Sequence, residues 1–375
     1  MKKLFIILLA LSMLVSLTAV SHAETTLDDL KASFALNVET EGLSKDELIA
    51  KGKAYETGDG VVQWYAMAKA YYEAAGAEDE LAALNAYKDQ VMANSPDAQG
   101  EVFNFFRTGV TASQQKDFEK AYAVYYDDAF FFEDPLLRGI GSLGDLLRDG
   151  SGVTQDVDKA VAIYTFNAEV LGKGNGYTSL GLLYQAADGT YPGIAHSTDK
   201  ALENFLLSYQ GENLKETDFK GPRYAADMFD AGYITDAGES VAPDYVKAEE
   251  GYLIAAAGNG RTFDGTACYK LACYYEEGRE GIAQDYAKAV EFYQKAISDK
   301  NVHATMLGIP QTYLALGRFY EEGLGVEASL ETALEFYQKA LDAADENLAL
   351  ENAAGNAAAQ AVHDAAAEAL ARLAK

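Results

Sequence analysis

Apolar residues recur along this chain as an alanine followed four residues later by an aromatic residue. The seven pairs are Ala68/Tyr72, Ala121/Tyr125, Ala160/Tyr164, Ala201/Phe205, Ala248/Tyr252, Ala289/Tyr293 and Ala333/Tyr337. A spacing of four places both residues on one face of a helix. The intervals between pairs are 53, 39, 41, 47, 41 and 44 residues, a period that indicates stacked supersecondary units and hence a solenoid.

A second pattern precedes each pair, with a small residue, then a large apolar residue three positions on, then glycine after three more. Its instances, with Phe103 at the small position of the second unit and Ala187 for the final glycine of the fourth, are Gly52/Tyr55/Gly58, Phe103/Phe106/Gly109, Gly144/Leu147/Gly150, Gly181/Tyr184/Ala187, Ala226/Phe229/Gly232, Ala272/Tyr275/Gly278 and Gly317/Tyr320/Gly323. Glycine inside a helix is unfavourable, so its recurrence predicts close approach of a neighbouring helix. The final glycine predicts a helix end in the left-handed conformation.

The second helix of each unit has its own start signal, four residues before the alanine. Asp117, Asp156, Ser197, Asp244, Asp285 and Ser329 stand there, and only the first unit differs, with Trp64. Such side chains accept hydrogen bonds from the unpaired N–H groups of a first helical turn. The chain is therefore predicted to be all-α, an α/α superhelical solenoid of about seven helix pairs.

The predicted boundaries follow from the segments outside this pattern. Residues 24–43 form an N-terminal lead-in with helical tendency from Leu27 to Phe34, and Ser44 with Glu47 forms a capping box that opens the repeat array of 44–342. Residues Asp79 to Met92 are predicted to form an inserted helix. The alanine-rich residues 343–375 are predicted to be a C-terminal capping helix.

The best-formed unit resembles a known repeat. Gly317 to Val326, followed by Thr332 to Ala340, resembles the Sel-one-like repeat (SLR), a branch of the tetratricopeptide-like (TPR-like) helical superfamily, and Gly144 to Ala168 and Ala272 to Ala296 match nearly as well. The resemblance covers residues 44 to 342, with the first, second, fourth and fifth units degenerate or interrupted. It implies a superhelix with adaptor or assembly roles in secretory, envelope and signalling pathways, and no shared catalytic residues.

The N-terminus indicates export from a bacterial cell. Lys2 and Lys3 precede the apolar stretch Leu4 to Val20, and Ser21-His22-Ala23 supplies small residues where a signal peptidase cleaves. We expect a signal peptide over residues 1–23, cleavage after Ala23, and a periplasmic or secreted protein. An uncleaved membrane anchor is the alternative.

The formal charge is −28, which disfavours nucleic acid and anionic lipid as partners and favours basic partners or cations. The sequence predicts a protein or peptide partner, and no cofactor, metal or nucleic acid. A solvated acidic surface is the simpler explanation of the charge. The carboxylates Asp127, Asp128, Glu133 and Asp134 surround an aromatic run at Phe130 to Phe132 and are interpreted as a loop over the core rather than a calcium or glycan site.

No catalytic constellation is recognisable in the sequence. Gly139-x-Gly141-x-x-Gly144 matches a dinucleotide-binding expression, but no strand precedes it. Ser113-x-x-Lys116 and Ser197-x-x-Lys200 match the serine-lysine pattern of penicillin-recognising enzymes without their companion motifs. The histidines lack ligand spacing. Cys268 and Cys273, five apart approaching or within one predicted helix, are too far apart to bridge unless the helix starts after Cys268.

One set of polar positions is the candidate partner-binding groove. The residues one and four after the small residue form a stripe on the first helix of each unit, which in helix-pair solenoids lines the concave side. Its members are Lys53/Glu56, Asn104/Arg107, Asp145/Arg148, Leu182/Gln185, Asp227/Asp230, Cys273/Glu276 and Arg318/Glu321. The alternative is a solvated helix face. Arg107 and Arg148 come early and carboxylates dominate later, so the stripe predicts a partner with acidic groups towards the early units and basic groups towards the late ones.

Three functions are consistent with these observations. The favoured one is an exported scaffold that mediates protein-protein interaction, an adaptor or assembly factor of the cell envelope. The second is a secreted repeat enzyme that binds or hydrolyses β-lactams, because some relatives of the resembled family have been described so. The third is an acidic cation-binding protein, which rests on charge alone.

Overall fold

The computed structural model describes residues 26–95, 101–134, 136–260, 262–298, 308–349 and 353–374. The helices are α1 Leu27–Ser33, α2 Lys45–Thr57, α3 Tyr65–Ala75, α4 Glu78–Ala93, α5 Glu101–Gln114, α6 Phe118–Tyr126, α7 Ile140–Asp149, α8 Val157–Thr165, α9 Gly174–Gln185, α10 Thr198–Gln210, α11 Gly221–Ala231, α12 Tyr245–Ala257, α13 Gly265–Glu277, α14 Tyr286–Ala296, α15 Ile309–Glu322, α16 Leu330–Ala349 and α17 Ala353–Leu373. Seven pairs, α2/α3, α5/α6, α7/α8, α9/α10, α11/α12, α13/α14 and α15/α16, pack in sequence order, with α4 inserted after the first. The predicted α/α solenoid is confirmed.

The repeated alanine is buried in every pair, and a glycine makes a close contact with the anchor ring in five of them. All seven anchor alanines are 0% exposed. In five units a helical glycine lies against the anchor aromatic ring, and a Cβ on Gly144 would stand 2.7 Å from Cε1 of Tyr164. The five contacts are Gly52 with Tyr72, Gly109 with Tyr125, Gly144 with Tyr164, Gly181 with Phe205 and Gly317 with Tyr337. The predicted reason for these glycines, close helix approach, is therefore confirmed.

The second unit corrects the predicted register. Gly109 was assigned to the end of the first helix, but it is buried in the middle of α5 and contacts Tyr125 as the small residue does elsewhere. The assignment of Phe103 as the small position was wrong by six residues. Asn104 and Arg107 consequently lie upstream of the repeat positions they were predicted to occupy. This aromatic-rich helix contains two residues, Phe103 and Gly109, that could be aligned with the small position of the repeat. The contact of Gly109 with Tyr125 shows that Gly109 occupies it.

The predicted helix caps are present, and the exceptional first unit is capped from its neighbour. Asp156, for example, accepts a hydrogen bond of 3.0 Å from the N–H of Lys159, and the other predicted caps do the same three residues on. At α3, where Trp64 offers no acceptor, the buried carboxylate of Asp127 accepts from the N–H groups of Tyr65 and Ala66 at 2.7 and 2.8 Å. The second unit thus supplies the cap of the first.

Two local features depart from a purely α-helical prediction. α6 and α8 each continue as one π-helical turn, Asp127–Phe131 and Phe166–Val170. A short antiparallel hairpin, β1 Tyr233–Ile234 and β2 Ser240–Val241, joins α11 to α12. Its Asp236 accepts hydrogen bonds from the Ser197 hydroxyl and the Thr198 N–H at the start of α10. The hairpin therefore links two consecutive units.

The C-terminal boundary lies beyond the predicted residue 342. α16 runs unbroken from Leu330 to Ala349, so the predicted start of the cap at 343 falls inside a repeat helix. The separate helix α17 covers it, burying Val362 and Ala366 against Ala340 and Ala344. The signal-peptide prediction for residues 1–23 lies outside the described residues. In the part that is described, none of the helices has the length and apolarity that a membrane span requires.

Both cysteines lie within α13. Cys268 is buried, Cys273 is half-buried, and neither forms a disulfide. Because the helix begins at Gly265 rather than after Cys268, the condition for a bridge is not met.

Candidate binding groove

The predicted stripe divides into two groups by exposure. Lys53, Asn104, Arg107 and Gln185 are exposed, and they belong to the first, second and fourth units. The remaining charged members are half-buried: Glu56, Asp145, Arg148, Asp227, Asp230, Glu276, Arg318 and Glu321. A half-buried charge needs a partner, and each member of this second group has one inside the protein.

The first kind of partner is the anchor tyrosine of the same unit. Tyr252 is 0% exposed as a residue, yet its hydroxyl donates a hydrogen bond of 2.8 Å to Oδ1 of Asp227. Five units share this arrangement, with the acceptor at the first or second stripe position. The pairs are Tyr72 with Glu56, Tyr164 with Asp145, Tyr252 with Asp227, Tyr293 with Glu276 and Tyr337 with Glu321. The stripe was predicted to stand apart from the core, and that prediction was wrong for these carboxylates, because the core tyrosines need an acceptor.

In the two remaining units the anchor residue has no carboxylate partner in the stripe. The fourth unit has Phe205 as its anchor, which has no hydroxyl, and its stripe positions are Leu182 and Gln185. In the second unit the corrected register places Ser113 four residues after Gly109, and its Oγ lies 3.5 Å from the hydroxyl of Tyr125. Sequence reasoning missed this coupling. The signal was present in the sequence, since an acidic stripe residue accompanies five of the six tyrosine anchors and not the phenylalanine.

The second kind of partner is a cation, and this changes the predicted charge gradient. Arg148 donates to Asp149 at 2.7 Å and to Asp145 at 3.1 Å, and its side chain is only 17% exposed. Arg107 is exposed and lines a shallow depression of ≈ 280 Å³ together with Asn104 and Lys120. Of the two predicted early cations, the structure leaves only Arg107 open to a partner, while Arg148 is held by its own unit.

The pKa values of the Asp145 and Glu321 carboxyl groups are shifted in opposite directions by their surroundings. Burial raises the pKa of Asp145 despite its hydrogen bond from Tyr164 and the nearby Arg148. The pKa of Glu321 is lowered, chiefly by Arg372 of α17 and also by the hydroxyl of Tyr337. Glu321 is therefore ionised at neutral pH.

The late units form a groove that contains part of the stripe. Its volume is ≈ 530 Å³, and its walls come from α13, α15 and α17 with the tyrosine hydroxyl ends of α14 and α16 between them. Cys273, Glu276, Arg318 and Glu321 of the stripe line it. α17 adds Ala365, Glu368, Ala369 and Arg372, which sequence analysis had assigned only to a cap. The stripe members of the first five units, which precede Cys273, lie outside this groove.

The acidic aromatic segment of the second unit is part of the packing between elements. Glu133 binds Lys31 of α1 and Lys88 of α4, which lower its pKa to about 2. Asp134 pairs with Arg138 at 3.0 Å. Burial raises the pKa of Asp128 to about 7, although its Oδ2 accepts from the N–H of Gly139 at 2.9 Å. Across the described ranges, no group of histidine, cysteine and acidic side chains is arranged to hold a metal ion.

Comparison with known proteins identifies the repeats. The Sel1 repeat model matches residues 50–79, 142–165, 225–259, 265–301 and 310–345, so that the second and fourth units fall outside the matches. Sel1 repeats generally mediate protein-protein interaction, and the scaffold is generally non-catalytic.

Two solved structures are similar to this chain. A Sel1 repeat protein from Oxalobacter formigenes shares 20% identity at a TM-score of 0.43, over 63% of this chain and 84% of that one. The protein c5321, described as a protective antigen present in uropathogenic Escherichia coli strains and displaying an SLR fold, shares 21% identity at a TM-score of 0.35, over 92% of this chain and 73% of that one. The five matched stretches identify this chain as one that carries five Sel1 (SLR) repeats.

Proposed function

We propose that this protein is an exported scaffold that holds another protein, as an adaptor or assembly factor of the cell envelope, through the groove of its late units. The observation that carries the proposal is the groove itself. It is an open channel of ≈ 530 Å³ between α13, α15 and α17, lined by charged, aromatic and small apolar side chains together. Such a mixed lining suits a polypeptide segment, which presents both apolar and polar groups.

Export is part of the proposal and rests on the N-terminal residues alone. Lys2, Lys3, the apolar stretch to Val20 and the small residues before Glu24 have the order of a signal peptide. N-terminal sequencing of the protein from its native host should return Glu24 as the first residue. An intact Met1 on a membrane-bound form would contradict cleavage and favour the anchor.

Site-specific photocrosslinking tests the scaffold function in the native host. A benzoylphenylalanine at Ala365, which is exposed and lines the groove, should give one discrete crosslinked product with another protein. The matched control is the same replacement at Ala371, which is exposed on the same helix but does not line the groove. Equal crosslinking from both positions, or none from either, would overturn the assignment of the groove.

A β-lactam-binding or β-lactam-hydrolysing enzyme is the second candidate. The serine of each of its two motif matches forms contacts with the chain's own residues. The Ser197 hydroxyl accepts from the N–H of Lys200 and donates to Asp236, as a helix cap. Ser113 faces Tyr125. Turnover of nitrocefin by the purified protein, lost on Ser197→Ala, would revive this candidate. Calcium-dependent melting would support the third candidate, cation binding.

A further inference from the structure

The late units are joined by cations that reach across from one unit to the carboxylate of the unit before. In each case the acceptor is the second stripe position, and the donor comes from the following first helix or from α17. The three pairs are Asp230 with Lys270, Glu276 with Arg318, and Glu321 with Arg372. Within the array these ion pairs join consecutive units, because donor and acceptor both belong to packed repeat helices.

The last pair differs from the others in its donor. Arg372 comes from α17, which lies beyond the last matched repeat, and its side chain is 55% exposed against 15% for Glu321. Both terminal nitrogens of Arg372 bind the two oxygens of Glu321, with Nη2 at 2.9 Å from Oε2. The end of the groove therefore has the geometry of a guanidinium site, occupied by a side chain that is more than half exposed.

Further hydrogen-bond acceptors line the same groove. Glu322 on α15 and Glu368 on α17 line the groove from two walls, are exposed, and form no ion pair within the described ranges. The side-chain oxygen of Gln311, another lining residue, is buried and accepts no hydrogen bond there. The whole lining has five glutamates against two arginines, a difference of three negative charges. The groove thus offers more acceptors than the chain itself satisfies.

We propose that the groove receives a basic segment of a partner protein, and that an arginine of this segment lies between Glu322 and Glu368 and competes with Arg372 for Glu321. The inference rests on the proposed scaffold function and specifies the chemistry of its partner. A formal charge of −28 on the chain favours the approach of such a segment. The half-buried side chain of Tyr269 also lines the groove, and an aromatic side chain suits the flat guanidinium.

The test measures the binding of fluorescein-labelled twelve-residue peptides by fluorescence anisotropy at low and moderate salt. The probe alternates arginine with alanine, and matched peptides carry lysine or glutamate instead. The purified protein should bind the arginine peptide more tightly than the lysine peptide, since lysine lacks the fork, and should not bind the glutamate peptide. Absence of binding, or an arginine peptide no better than the lysine peptide, would overturn the guanidinium site.

Two double variants separate the site from net charge. The double variant Glu322→Gln with Glu368→Gln should weaken the binding of the arginine peptide at least fivefold. The control is Glu331→Gln with Glu335→Gln, which removes the same charge from exposed positions of α16 outside the groove lining. This control should change the affinity for the arginine peptide less than twofold. Equal weakening by the two variants would mean that net charge alone attracts the peptide, and would overturn the proposal.

A third variant tests the competition. Arg372→Gln removes the cation bound to Glu321 and should tighten the binding of the arginine peptide severalfold. Arg372→Lys keeps the charge but not the two-pronged guanidinium, and should tighten that binding less. Weaker or unchanged binding by Arg372→Gln, in a variant that melts as the parent does, would contradict competition. If Ala365 crosslinks a partner whose contacting segment is not basic, this inference fails while the scaffold function stands.

Discussion

The hydroxyl of Tyr252 donates a hydrogen bond of 2.8 Å to Oδ1 of Asp227, and thereby joins the two helices of the fifth unit from inside its core. Tyr252→Phe should lower the free energy of unfolding by about 1–3 kcal/mol, because a half-buried carboxylate oxygen loses its donor. Denaturant unfolding measures the loss. Tyr245→Phe on the same helix is the control, since that hydroxyl has no hydrogen bond within the described residues, and it should cost less than about 0.5 kcal/mol. Equal costs would show that the Asp227 bond contributes nothing of its own.

Two glycines of α7 should respond oppositely to alanine. A Cβ on Gly144 would lie 2.7 Å from Cε1 of Tyr164, whereas one on Gly141 would meet its nearest atoms at 3.7 Å. Gly144→Ala should destabilise by about 1–3 kcal/mol through overpacking. Gly141→Ala should stabilise by up to about 1 kcal/mol through helix propensity. Thermal melting of both variants decides this, and a stabilised Gly144→Ala would refute the close-approach explanation of the repeated glycine.

Charge reversal should distinguish the two early arginines. Arg148→Glu places a third negative charge beside Asp145 and Asp149 and should lower the melting temperature by several degrees. Arg107→Glu changes an exposed side chain and should leave melting unchanged. Identical melting curves for the two variants would show that the ion pairs of Arg148 do not stabilise the fold, and that Arg148 is as available to a partner as Arg107.

Asp128 should make stability depend on pH. Burial raises its pKa from 3.8 in the unfolded chain to about 7 in the folded protein. The stability associated with the protonated form is therefore complete below pH 3.8 and is lost as pH rises through about 7. Asp128→Asn cannot ionise and keeps an acceptor for the N–H of Gly139. Between pH 5 and pH 8 the melting temperature of the parent should fall relative to this variant, and parallel curves would contradict the buried-acid assignment.

The terminal helix should be required for stability. Ala366 of α17 is 0% exposed against α16, whereas Ala361 is exposed on the same helix. Ala366→Asp should cost about 2 kcal/mol or more because it buries an unpaired charge, and Ala361→Asp should stay within about 0.5 kcal/mol. Deletion of residues 350–375 should lower the melting temperature markedly. An unchanged curve would remove the structural role of α17, and a deletion from 343 would also cut into α16.

The sequence by itself determined the repeat, because an alanine that packs at 0% exposure and a glycine that admits an aromatic ring tolerate few alternatives. The caps were equally readable, since Asp156 and its equivalents act within their own helix turn. These features are local, and local spacing is what a sequence displays. The all-α solenoid and its family follow from them.

Only the tertiary structure decided what the polar stripe does. Whether Glu321 faces a partner or the chain's own Tyr337 and Arg372 depends on residues 16 and 51 positions away. The register of the second unit depended likewise on which glycine meets Tyr125, and the cap of α3 on Asp127 of another unit. A long-range partner leaves no fixed spacing in the sequence, so exposure and polarity along one helix could not separate an internal hydrogen bond from a binding surface.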